Sequence, residues 1–255
     1  MDAGVRRVAL VTGSSRGLGR AIALRLARDG MAVAVNGLRE SSAARDVVEA
    51  IRAEGGVGDL FAADVTDEQQ VAELVESVAT RLGPIDVLVL NATGPQPSAA
   101  VTDTTWDDHL AQLKFFVKSP VLFGSKVIPG MQERRFGRVV TIDSEVAHRP
   151  PPGNSAYAVA KNAQIGVAES WARELAPFGI TVNTVAPGYI PFERHDERQL
   201  EVAAMDTNGY LASVPVGRFG AVDDVAHAVS FFASDGAGFV TGQRVLVDGG
   251  RSLVA

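Results

Sequence analysis

The 255-residue chain contains no cysteine. Disulfides and thiolate metal centres are therefore excluded, and a reducing cytoplasm is the expected location. An excess of positive charge is lacking too. With 24 basic residues against 30 acidic ones the formal charge is -6, which repels a nucleic-acid backbone. The one compact basic cluster, Arg134, Arg135 and Arg138, reads as a solvated helix end where cations complement the dipole. Long apolar runs are missing, each being cut short by glycine, proline or charge, so no membrane span is expected. The stretch 1–7 lacks the apolar segment of a secretory signal. His109, His148, His195 and His227 lack metal-ligand spacing, and no metal is expected. Internal repeats, low-complexity tracts and long linkers are absent as well. Residues 1–255 are expected to form a single domain.

What is present is alternation. Short Val/Ile/Leu-rich runs occur at 8–12, 31–36, 57–63, 85–91, 138–142, 181–186 and 244–247. Helix-period segments lie between them, among them 18–29, 41–54 and 68–82. Strands that read as continuous apolar runs have both faces covered. Strand-helix alternation implies crossovers and a parallel sheet. The expected fold class is α/β, a doubly wound, Rossmann-type, seven-stranded parallel sheet flanked by helices.

Between the first strand and the first helix stands Thr12-Gly13-Ser14-Ser15-Arg16-Gly17-Leu18-Gly19. Glycines allow a sharp turn and close approach to a pyrophosphate, and free N–H groups at a helix start complement its charge. The spacing differs from the commoner G-x-G-x-x-G, and a methyltransferase using S-adenosylmethionine would open in the same way. The second strand runs into Asn36-Gly37-Leu38-Arg39, with no acid to hold a ribose 2′-hydroxyl. Arg16 and Arg39 instead suit a 2′-phosphate, which favours NADP(H) over NAD(H).

Tyr157 and Lys161 are four residues apart, hence on one face of a helix. Ser144 lies at the end of the fifth strand, where parallel sheets collect their ligand sites. A phenol with a pKa near ~10 is a poor acid or base at neutral pH unless a nearby cation favours its anion.

These residues together resemble the short-chain dehydrogenase/reductase family, in particular its 3-oxoacyl-[acyl-carrier-protein] reductase-like members. The resemblance rests on the glycine turn, Asp64-Val65, Asn91-Ala92-x-Gly94, Ser144, Tyr157 with Lys161, Pro187-Gly188, and the closing Thr241-Gly242 and Asp248-Gly249-Gly250. It implies a catalytic set of Ser144, Tyr157 and Lys161. Gly13, Ser15, Arg16, Gly17, Leu18, Gly19 and Arg39 would bind the cofactor phosphates. Asp64 and Val65 would meet the adenine, Asn91 and Lys161 the riboses, and Pro187, Gly188 and Ile190 would complete the cofactor site. Tyr157 would exchange a proton with a ketone or secondary alcohol while the nicotinamide exchanges hydride. The substrate it implies is a small-molecule or carrier-tethered carbonyl, of β-ketoacyl or polyketide type, and the assembly a homotetramer.

The pattern also breaks. The family usually carries an asparagine on the helix after the fourth strand, which helps seat a proton-relay water, yet 101–131 holds none. Counting back from Lys118-Ser119-Pro120 puts Phe116 there; counting from Trp106 puts Leu113 there. Thr93 and Phe192 are further departures. The missing asparagine keeps open a second reading, a catalytically impaired NADP-binding regulator or scaffold. Loops at 145–155 and 189–214 are expected to shape the substrate pocket, the second as a lid. Glu145, His148, Arg194 and His195 could meet a polar substrate, with solvated loop positions as the alternative.

Overall fold

A computed structural model describes residues 6–191 and 206–253. Seven parallel strands run in the order β3-β2-β1-β4-β5-β6-β7. They are β1 (Val8–Val11), β2 (Ala32–Gly37), β3 (Val57–Ala62), β4 (Ile85–Leu90), β5 (Gly137–Ile142), β6 (Ile180–Pro187) and β7 (Arg244–Val247). The helices are α1 (Gly17–Arg28), α2 (Ser42–Ala53), α3 (Glu68–Arg81), α4 (Trp106–Leu113), α5 (Ser119–Arg134), α6 (Ser155–Leu175), α7 (Thr207–Ala212) and α8 (Val222–Ala233). A π turn at Lys114–Lys118 joins α4 to α5. The doubly wound sheet expected from the alternation is therefore the one observed, with strand limits moved by a residue at most.

The alternating side chains of each central strand feed two cores. Ala9, Val11, Val87 and Val89 face Ile22 and Leu26 of α1, Val47 and Ile51 of α2, and Val229 and Phe232 of α8. Val8, Leu10, Leu88 and Leu90 face Leu74 of α3, Phe123 and Met131 of α5, and Ala172 and Leu175 of α6. Each such buried aliphatic side chain contributes roughly 1.5–3 kcal/mol. Strands β1, β2, β5 and β6 are buried throughout, whereas the edge strands β3 and β7 are partly exposed. Cover on both faces, expected for all seven strands, holds for the central ones, while the edge strands β3 and β7 keep part of their surface exposed.

Helix starts follow side-chain chemistry. Ser41 accepts from the Ala44 amide, Asp67 from Gln70, and Thr105 forms a reciprocal box with Asp108. The basic cluster needs correction. Arg134 lies in the last turn of α5 and Arg135 caps it with a φ of 52°, but Arg138 is buried on β5. Its guanidinium donates to the Ser234, Gly137 and Gly179 carbonyls and covers the Phe136 ring.

Candidate active site

Parallel strands place all their C-terminal ends on one edge of the sheet, and the sequence-derived candidates gather there. The order β2-β1-β4 makes the crevice above β1 the place where the winding reverses. Into it turns the glycine loop. Gly13 has a φ of +62°, and a Cβ there would lie 2.9 Å from the Ala92 Cα. A Cβ on Gly19 would meet the Gly13 carbonyl oxygen and the Asn91 amide within 2.6 Å. Both positions therefore require glycine. Unlike α2, α3 and α4, α1 begins with no side-chain cap, and like α2 it has no acid in its first turn. Its amide dipole end thus suits an anion, as the chemistry of a dinucleotide pyrophosphate requires.

Two asparagines hold the loop in shape. Asn91 donates its side-chain amide to the Thr12 and Gly13 carbonyls at 2.9 and 3.1 Å. Asn36, buried in β2, accepts from the Gly13 amide at 3.1 Å and donates to the Phe61 and Ala63 carbonyls. Asn36 was not among the expected site residues, although a lone amide in an apolar strand is a readable signal. Arg16 and Arg39 are exposed at the same rim, and Ser15 and Leu18 are half-buried there. Asp64 does not cap α3, a role that Asp67 fills. One Asp64 carboxylate oxygen accepts from the Thr66 amide and hydroxyl, both at 2.8 Å, and Val65 beside it is buried. Pro187 ends β6, Gly188 follows, and Ile190 is buried just beyond.

The reactive groups stand beside this crevice. Ser144 follows β5 and accepts from the Val146 amide at 3.2 Å. Tyr157 and Lys161 lie in the first two turns of α6. Lys161 is fully enclosed; its Nζ donates to the Ile142 carbonyl at 2.6 Å and to Gln164 Oε1 at 3.2 Å. Phe116, on the π turn, completes the cage. Its ring centroid lies 3.8 Å from Lys161 Nζ, and its ring meets that of Tyr157 edge to face at 5.4 Å. Phe116 rather than Leu113 therefore faces the candidate pair. Burial pushes the Lys161 ammonium down to about 7, against the attraction of Asp143 and with repulsion from Arg244. Asp143, adjacent to Ser144, is itself pushed up by burial; its Oδ2 pairs with Arg244 Nε at 2.6 Å. Gln164, Asp143 and Arg244 were not foreseen, though Gln164 falls on the face of α6 that carries Tyr157 and Lys161.

Glu145 corrects the expectation of a solvated loop residue. It is buried, accepting from the Tyr210 hydroxyl at 2.8 Å and from Arg251 at 2.9 Å. The Tyr210 hydroxyl in turn accepts from the Tyr189 amide at 2.6 Å. One phenol so ties together the two described flanks of the 189–214 segment. His148 is exposed. Residues 192–205, with Phe192, Arg194 and His195, lie outside the described residues. Thr93 accepts from the Gln96 side chain at 2.9 Å. Among the described residues no helix is long and apolar enough to cross a membrane.

Comparison with known proteins agrees with this geometry. The family described as enoyl-(acyl carrier protein) reductase matches residues 13–252. The chain is 38% identical over 247 residues to the 3-oxoacyl-[acyl-carrier-protein] reductase FabG of Staphylococcus aureus, covering 96% of this chain and 98% of the relative. Among solved structures it is similar to a gluconate 5-dehydrogenase from Burkholderia cenocepacia in complex with NADP and tartrate. That match has a TM-score of 0.89 and 32% identity, with 98% and 96% of the two chains covered. A 3-oxoacyl (acyl-carrier-protein) reductase from Agrobacterium tumefaciens with NADP bound matches with a TM-score of 0.85 at 35% identity, covering 96% and 95%. The chain belongs to the short-chain dehydrogenase/reductase family of oxidoreductases.

Proposed function

We propose that this chain is an NADP(H)-dependent oxidoreductase that interconverts a ketone and a secondary alcohol, with a β-ketoacyl thioester as the first substrate class to examine. The observation that carries the reading is the Tyr157–Lys161 pair on α6, set at the strand ends beside an uncapped helix start. The glycine turn and the α1 amides would hold the pyrophosphate. Arg16 and Arg39 would face the 2′-phosphate, Asp64 and Val65 the adenine, Asn91 and Lys161 the riboses, and Pro187, Gly188 and Ile190 the nicotinamide end. Both solved relatives described above carry NADP. A reduced nicotinamide bound there would supply hydride to the carbonyl carbon.

The chain's own groups do the rest. The Ser144 hydroxyl donates a hydrogen bond to the substrate oxygen as negative charge develops, an effect of roughly 3 kcal/mol in comparable sites. Tyr157 gives its phenolic proton to that oxygen in reduction and takes it back in oxidation. Lys161, as ammonium, favours the phenolate left behind. A homotetramer, expected from the resemblance, belongs to the same reading; exposed Phe231, Phe239 and Val245 near β7 supply apolar surface for it.

NADPH oxidation across a panel of ketones, β-ketoacyl thioesters and enoyl thioesters tests the proposal. Turnover of a ketone that the Tyr157→Phe substitution abolishes supports it. Turnover indifferent to that substitution defeats the tyrosine mechanism, and NADPH binding without turnover favours the regulator reading.

A further inference from the structure

The geometry points to Phe116 as a positioning residue whose ring face holds the Lys161 side chain as a cation beside Tyr157. The site offers the ammonium three neighbours: the Ile142 carbonyl at 2.6 Å, Gln164 Oε1 at 3.2 Å and the Phe116 ring at 3.8 Å. Two of these neighbours are oxygens that accept from the ammonium and the third is the ring face. The ring is fully buried, so the attraction between its negative face and the cation acts without competing water. Because the same ring touches Tyr157 edge-on at 5.4 Å, one side chain sets the place of both partners.

The backbone explains how an aromatic side chain reaches this point. In the π turn Lys114–Lys118 the chain takes one residue more per turn than in an α-helix, which swings Phe116 out of the phase of α4 and against α6. Such a turn lies between two regular helices here, at the level of the lysine.

The electrostatic balance gives the contact its consequence. The charged groups that act on Lys161 are Asp143 at the end of β5, which favours the cation, and Arg244 on β7, which opposes it. Burial opposes it more strongly than either. Gln164 and Tyr157 face it from its own helix and Phe116 from the π turn. With burial opposing the cation, each favourable contact that remains bears on its charge. Loss of the ring face would shift the balance further toward the neutral amine, and a neutral amine does not favour a phenolate.

The inference rests on the proposed function only for its catalytic consequence, and its main test needs no turnover. The chain has four lysines, Lys114, Lys118, Lys126 and Lys161. In full-length protein carrying 13C-labelled lysine, the signal lost in Lys161→Arg identifies Lys161, whose pH titration is then followed by NMR. Incorporation of 3,4,5-trifluorophenylalanine at position 116 keeps the shape and weakens the ring face. The Lys161 midpoint should fall by about one pH unit. It should fall at least as far in Phe116→Leu and stay near the parent in Phe116→Tyr. Coincident titrations of the parent and the fluorinated protein would overturn the inference, reducing the ring to a space-filler. In an active preparation, the pH profile of alcohol oxidation should move to the alkaline side in the fluorinated protein. A titration that moves in a protein that turns over no ketone would refute the proposed function while leaving the hold of the ring on the lysine intact.

Discussion

Two tyrosines of this chain stand beside a buried or half-buried cation, and the structure gives them opposite surroundings. The Tyr157 ring packs against the Phe116 edge with Lys161 nearby, and the cation is one that can lose its proton. Tyr210 lies under the Arg251 guanidinium, which cannot, and donates to Glu145 while accepting from the Tyr189 amide. Burial and the Glu145 carboxylate push the Tyr210 phenol up, well beyond any pH at which it could ionise in a working enzyme. The comparison teaches that a phenol beside a cation need not be reactive, because a carboxylate acceptor at the hydroxyl can hold its proton. A carboxylate acceptor fixes the proton and makes a clasp. A neighbouring lysine favours the phenolate and so suits a phenol that exchanges its proton.

The sharpest way to break this contrast is to remove each hydroxyl in turn. Tyr157→Phe should lower kcat/KM by about 10²–10⁴-fold, the usual contribution of a positioned general acid, while the melting temperature stays within about 2 °C of the parent. Tyr210→Phe should do the reverse. It removes the acceptor of the Tyr189 amide bond and the donor to one Glu145 oxygen, at a cost of about 1–3 kcal/mol, and should change the rate by less than about tenfold. Equal rate losses in the two variants would show that the clasp and the catalyst are one unit.

Glu145→Gln tests the clasp from its other side. Its carboxylate answers both the Tyr210 hydroxyl and Arg251, with the two ion-pair side chains 9% and 21% exposed. Neutralising it leaves a half-buried guanidinium without its counter-ion. After discounting for that residual exposure the expected loss is about 2 kcal/mol, or roughly 4–8 °C in melting temperature for a chain this long. Calorimetry should show that fall with the maximal rate kept within a few-fold. An unchanged melting temperature would mean that the pair is no more than a surface contact.

Much of this was legible in the chain itself. The apolar strands and the Tyr157–Lys161 spacing on one helix face have a local physical cause that the sequence displays, whereas the catalytic set with Ser144 came from the family resemblance. What escaped depends on phase or on contacts between distant elements. The π turn shifts helical phase, so counting from Trp106 and from Ser119 reached different residues, and only packing against α6 singles out Phe116. Glu145 looked like a loop carboxylate because its partners, Tyr210 and Arg251, lie 65 and 106 residues away. Arg138 looked like part of a helix end because a buried guanidinium satisfied by three carbonyls carries no sequence signature.

The smallest expected effect separates the two cations themselves. The folded state holds Lys161 at about 7, against 10.5 for an unperturbed lysine. Between those values the unfolded chain binds a proton that the folded chain does not, so stability gains as pH rises through that window. Below it both states are protonated and the folded protein carries the full cost of burying the cation. The stability of the parent relative to Lys161→Met should therefore increase from about pH 7 to about pH 9 in denaturant titrations. Arg251 keeps its charge in both states, and the corresponding offset for Arg251→Met should be flat across the same range. If the Lys161→Met offset is equally flat, the lysine is held as a permanent cation like the arginine. The contrast between an exchangeable and a fixed proton would then have to come from Glu145 alone.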